Sequence, residues 1–235
     1  MKLGRFPQPS ARKGSQKWIQ KLVNDKPEFL NSKIWSALNL SEGEDVQWLS
    51  PLRSDEYAEY RDQAFLDLLD MKLDKISLAQ FWPKGGPQWD ALGKSSSGKL
   101  FLIEGKSHIS ELMSSLRAED EESRKKIQKS LEETKRHLNS KAHTDWSQGF
   151  YQYTNRLAHL HLLRKNNLPA YLVHVYFLKD FEMKGPDTFH EWEGAIKLLE
   201  PYLEIGRHRL RKFTTNVYID LQNLVDKHVP RDFLA

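Results

Sequence analysis

The chain has 235 residues, a formal net charge of +4 and no cysteine, which excludes a disulfide framework, a thiolate metal site and a cysteine nucleophile. Mean hydropathy is low, at -0.68, yet 11 Phe, 8 Tyr and 7 Trp argue against wholesale disorder. No apolar run approaches the ~18 residues of a membrane span, and the basic N-terminus lacks the apolar stretch of a secretory signal, so a cytoplasmic protein is expected.

Residues 1–14 are rich in Pro, Gly, Lys and Arg and read as a flexible basic arm, with residues 15–235 as a single α/β domain. Lys2, Arg5, Arg12, Lys13, Lys17 and Lys21 all precede the first acid, Asp25. Trp18, Ile19, Leu22 and Val23 recur at helical spacing over 15–24. A stronger helix is predicted over 55–71, with Tyr57, Ala64, Phe65, Leu68 and Leu69 on one broad face. Leu78, Phe81 and Trp82 suggest a short strand, closed by Pro83-Lys84-Gly85-Gly86-Pro87. Two strands, 88–94 and 99–107, flank the turn signal Ser95-Ser96-Ser97-Gly98.

Helices follow over 109–117 and 119–140, the second a surface helix with a narrow stripe of Ile127, Leu131 and Leu138. Residues 147–166 read as a long, mostly apolar helix, 170–178 as a buried strand, 187–204 as a helix and 213–221 as a last strand. This order implies an α/β sheet with helices on its faces. Arg207, Arg209, Arg211 and Lys212 crowd together before that strand. Clustered basic charge is the usual footprint of phosphate contact, and a solvated loop is the plain alternative.

The stretch Leu100-Phe101-Leu102-Ile103-Glu104-Gly105-Lys106 carries the most chemistry. Side chains alternate along a strand, so Leu100, Leu102, Glu104 and Lys106 share one face and Phe101 and Ile103 the other. Pairing 90 with 104 in an antiparallel hairpin puts the turn at Ser96-Ser97-Gly98, a favoured three-residue connection. Asp90 and Glu104 then become cross-strand neighbours with Cβ atoms roughly 4.5–5.5 Å apart. Carboxylates that close repel unless one is protonated or a cation bridges them. A hard divalent cation fits such oxygen donors, and Lys106 beside it could orient water or hold a phosphate oxygen. The bland alternative is an edge-strand ion cluster of Asp90, Glu104 and Lys106.

Competing motifs fail on spacing. Gly105-Lys106-Ser107 lacks the glycine a phosphate-binding loop needs at position 100, which is Leu100. His190-Glu191 lacks the second histidine of a zinc protease at 194, which is Gly194.

Asp90 followed by Glu104-Gly105-Lys106 at the end of a hydrophobic strand resembles the signature of the PD-(D/E)XK nuclease superfamily, across about residues 55–180. One departure is Trp89 where the motif has proline. The resemblance implies a restriction-endonuclease-like fold with a mixed central β-sheet flanked by helices. It implies Mg²⁺ or Mn²⁺ held by Asp90 and Glu104, with Lys106 serving the water that hydrolyses a nucleic-acid phosphodiester, DNA being the favoured substrate. Arg207, Arg209, Arg211 and Lys212 would hold the backbone, and a homodimer cutting both strands is compatible with the family.

Three further candidates join the site by the same resemblance. Gln148, Gln152, Asn155 and His159 fall on one face of the 147–166 helix, and Gln152 matches the glutamine-bearing helix that superfamily members place beside the metal. An amide stripe facing solvent is the alternative. Glu111 opens the next helix, where an acid is favoured by the helix dipole in any case. Glu59 is the first-helix acid, with Glu56 and Asp62 as rivals. Other functional readings are a non-catalytic nucleic-acid- or protein-binding module on the same fold, and an interaction protein whose charges merely pair.

Overall fold

The structure is a computed structural model that describes residues 4–40, 44–141 and 143–224. In chain order, a short strand β1 (Arg5–Phe6) precedes helices α1 (Gly14–Asp25) and α2 (Pro27–Leu38). Pro27 sits at the start of α2, where its missing N–H costs nothing, and Asn39 closes the helix in the left-handed conformation. Strand β2 (Val46–Ser50) and the two-residue β3 (Glu59–Tyr60) lead to the short helices α3 (Gln63–Leu68) and α4 (Leu78–Phe81). Then come β4 (Ala91–Ser95), β5 (Leu100–Lys106), α5 (Glu121–Leu138), α6 (Tyr151–Lys165), β6 (Ala170–Leu178), α7 (Phe189–Leu203) and β7 (Thr214–Asp220).

These elements build an α/β protein around a mixed five-stranded sheet in the order β2-β4-β5-β6-β7. The β2, β4 and β5 neighbours run antiparallel, while β5, β6 and β7 run parallel. The β4–β5 register pairs Ala91 with Ile103, Leu92 with Leu102, Gly93 with Phe101 and Lys94 with Leu100. The paired register ends at Ala91 and Ile103; just beyond it the Asp90 N–H donates to the Ile103 carbonyl at 3.2 Å, one residue out of the ladder's register, so Asp90 lies beside Glu104 without being paired with it. Gly98, at φ +82, takes the left-handed turn position that a side chain would resist.

Alternation along β5 sends its side chains into two cores. Leu100 and Leu102 join Leu172, Tyr176, Leu157 and Leu160 on the face covered by α6, with Ile127, Leu131 and Leu138 of α5 packing outside. Phe101 and Ile103 join Trp18, Ile19, Leu22, Ile34 and Val175 on the opposite face, under α1 and α2. Gly105 lets α1 approach, because a Cβ there would stand 3.0 Å from Ile19 Cγ1. The chain thus has glycine between Glu104 and Lys106 to admit a helix on the back of the sheet.

Several local expectations change. Residues 55–71 do not form one helix: a 3-10 turn, β3 and the six-residue α3 share that span, because Glu56, Tyr57 and Asp62 take positive φ and break it. Residues 78–81 are helical, not extended, since Ser77 and Gln80 close a reciprocal capping box. Residues 109–117 contribute only a 3-10 turn at Ile109–Leu112. The arm is not free over its described part: Arg5 and Phe6 pair with Tyr60 and Glu59, and the Arg5 guanidinium bonds Asp55 and Glu56, each at 2.8 Å. Lys2 lies outside the described residues. Among the described residues no helix is long and apolar enough to cross a membrane.

Candidate active site

Strand β5 delivers Glu104 and Lys106 to the sheet face covered by α6, at the end of the strand where the β4 partner gives way to Asp90. Asp90 is half-buried, and its Oδ2 accepts the Gly105 N–H at 2.7 Å. Glu104 is 4% exposed and holds two cations. Its Oε1 accepts from Lys106 Nζ at 2.6 Å, and its Oε2 accepts from Arg156 Nε at 2.8 Å and Nη2 at 2.7 Å. Lys106 Nζ also donates to Gln152 Oε1 at 3.0 Å. Arg156 completes its fork on the Gln88 carbonyl and the Asn155 side chain, with its guanidinium over the Trp89 ring.

Glu59 closes the group from below. It is 6% exposed, and its two oxygens accept from the Gln16 and Gln88 side chains. Three buried or half-buried acids and two cations therefore share one locus. Burial pushes Asp90 well above the ordinary carboxylate range, and repulsion from Glu104 and Glu59 adds to it. Burial also pushes Glu59 up, against its hydrogen bonds from Gln88 and Gln16. Burial raises Glu104 too, but Arg156 first and Lys106 second outweigh it and hold the carboxyl at about 2. For Lys106, burial opposes the charge, yet Glu104 and Asp90 prevail and lift it above the ordinary lysine value. Lys106 is thus a cation at neutral pH.

A cleft of about 830 Å³ opens over Lys106, Gln152 and Arg156, walled by the 83–88 loop on one side and the 111–120 segment on the other. The structure brings Asp90, Glu104, Lys106, Gln152 and Glu59 together at one locus, and Glu59 comes from a strand and not from a helix. Glu111 lines the cleft but is committed elsewhere: Oε2 accepts the Ser107 N–H at 2.7 Å and caps the 3-10 turn, as its position in the first turn allows. In the amide stripe, Gln148 is exposed outside α6, and His159 is buried between Trp82 and Trp89, held neutral at about 3 by burial.

Sequence reasoning missed Arg156, Gln88 and Gln16. Arg156 was within reach: it stands four residues after Gln152, on the same helical face. Gln16 and Gln88 carry no local signal, since each is a lone amide brought in from a distant segment.

Arg207, Arg209, Arg211 and Lys212 do not form one surface, and none lines the cleft. Arg211 faces Glu200 at 3.6 Å and the Gly206 carbonyl at 3.0 Å. Arg207 is exposed. Arg209 and Lys212 line a separate pocket.

The donor chemistry suits a hard divalent cation. Mg²⁺ is commonly held by one or two carboxylates and completes its shell with water and phosphate oxygens. Asp90 and Glu104 would be the carboxylates to hold it, although both Glu104 oxygens already accept from Lys106 and Arg156. Among the described residues no three His, Asp or Glu side chains gather as a ready cage, so water and substrate would have to complete the shell. No family model matches the chain, and no curated protein or solved structure matches it.

Proposed function

We propose that the protein is a metal-dependent nuclease that hydrolyses nucleic-acid phosphodiesters, on a restriction-endonuclease-like version of the mixed sheet. The observation that carries this reading is the convergence of Asp90, Glu104, Lys106 and Gln152, of which Lys106 and Gln152 line the cleft and Glu104 lies buried behind them. Asp90 and Glu104 would hold Mg²⁺ or Mn²⁺, and the bound ion would polarise a phosphate oxygen and make water more acidic. Lys106, charged at rest, is suited to donate hydrogen bonds to the attacking water or to a phosphate oxygen rather than to take a proton. Gln152 fixes the direction of Lys106. Arg156 anchors Glu104 and keeps it ionised, and Glu59 supports the same locus through Gln88. The cleft offers Lys84 and Arg117 to the backbone, and DNA is the favoured substrate.

A second reading has support from one specific contact. Arg156 already occupies Glu104 Oε2, so the cluster is partly neutralised without a metal. A non-catalytic nucleic-acid-binding module would keep that arrangement. The two readings separate in a cleavage assay on plasmid, single-stranded DNA and RNA with Mg²⁺ or Mn²⁺, run beside Lys106→Ala. The nuclease reading expects metal-dependent cleavage that falls by at least about a hundredfold in the variant. Cleavage that survives in Lys106→Ala, or its absence on all three substrates in the native protein, sinks it.

A further inference from the structure

A second pocket, of about 680 Å³, opens between the C-terminal ends of α5 and α6 and the segment before β7. His161 lies nine residues beyond Gln152 along α6, about 14 Å of helix rise from the cleft. Five basic side chains line the pocket (Arg136, Arg164, Lys165, Arg209 and Lys212), against the single carboxylate of Glu133. That carboxylate is already engaged by His161 Nε2 at 2.9 Å and Lys165 Nζ at 2.8 Å. Among the described residues Arg136, Arg164, Arg209 and Lys212 pair with no carboxylate. Arg164 and Lys212 instead stand over the Phe213 ring, at 3.5 and 4.9 Å from its centroid.

His161 is 4% exposed, yet its Nδ1 has no hydrogen-bond partner. With Nε2 on the Glu133 carboxylate, that nitrogen is an acceptor closed off from solvent, so it does not itself bind an anion. Unpaired guanidinium groups that converge from three separate segments repel one another. An anion with several acceptor oxygens relieves that repulsion, and arginine forks match phosphate geometry.

We propose that this pocket is a phosphate-binding site separate from the carboxylate cleft. Nucleic-acid backbone is the favoured source of the phosphate, because the pocket is open and its charges are spread over several positions. The nuclease reading enters only in the choice of that polyanion. A free nucleotide presents the same chemistry, and the test separates the two.

The assay is fluorescence anisotropy of a labelled single-stranded DNA 12-mer in EDTA, so that no cleavage can occur. The native protein is compared with Arg136→Glu combined with Arg209→Glu, both at exposed positions, after matched melting curves show that the variant folds. The proposal expects binding weakened by about tenfold or more, with a salt dependence shallower by about two ions. Inorganic pyrophosphate and ADP are the competitors. Equal competition identifies backbone phosphate as the occupant, and ADP acting at much lower concentration identifies a free nucleotide. Unchanged DNA binding in the variant, with neither competitor displacing it, overturns the site. That failure would leave the cleft untouched, since cleavage by the native protein is scored separately.

Discussion

Arg156→Met tests how much of the molecule rests on the ion cluster. Methionine keeps most of the volume and removes the fork that reaches Glu104 Oε2 at 2.7 and 2.8 Å. Both partners are nearly buried, with side-chain exposures of 7% and 5%. Removing one partner of such a pair leaves a buried charge and costs about 3–5 kcal/mol. A protein of this size should then melt roughly 6–20 °C lower, at 2–4 °C per kcal/mol.

The sign of the pH effect follows. In the native protein the low Glu104 value contributes stability that is present above pH 4.5 and lost as the pH falls towards 2. In the variant, burial pushes Glu104 upward instead, so the penalty grows as the pH rises above the ordinary carboxylate range. The gap between the two proteins should therefore narrow from pH 7.5 to pH 5. Scanning calorimetry at several pH values, with and without 10 mM Mg²⁺, reads all of this, and Mg²⁺ should restore part of the loss by replacing the missing positive charge. A fall of less than about 3 °C, or a gap that widens towards acid, would refute the claim that Arg156 neutralises a buried Glu104.

Three further outcomes follow. Asp90→Asn should raise the melting temperature of the metal-free protein by about 2–4 °C, because it removes a charge that burial, Glu104 and Glu59 all disfavour. That gain should be larger at pH 8 than at pH 5, and Mg²⁺ should no longer stabilise the variant. A simple destabilisation would mean that Asp90 is a paired structural acid. Gly105→Ala should cost about 1–3 kcal/mol in urea unfolding, since its Cβ meets Ile19 Cγ1 at 3.0 Å and Cδ1 at 3.3 Å. In an Ile19→Ala background the same change should cost far less, and equal cost in both backgrounds would remove the steric account. Lys106→Ala should abolish cleavage while leaving the far-UV circular dichroism spectrum unchanged.

The hairpin shows what a sequence determines by itself. Alternation in 100–106, the Ser-Ser-Gly turn and the position of Asp90 are all local, and a two-stranded register has only one solution that keeps both cores apolar. The β4–β5 hairpin was therefore legible before any coordinates, while Asp90 itself lies one residue beyond the paired register. The strand at 170–178 and the helix around 151–165 were legible for the same reason, because a buried element announces itself by its own residues.

The rest depended on contacts between distant segments. Residues 27–38 and 46–50 gave no strong pattern, and α2 and the edge strand β2 take their meaning from the sheet they cover and extend. Glu59 reached the site on a two-residue strand that exists only because β1 pairs with it. The basic residues 207–212 looked like one patch, and chain geometry sent Arg209 and Lys212 to one pocket and Arg211 to another. Above all, Arg156 and Glu104 are 52 residues apart, and only the packing of α6 on β5 brings them together. A sequence fixes which charges exist and on which face of their own element they lie. Whether a buried charge is repelled, paired or open to a metal is decided by what the tertiary fold places against it.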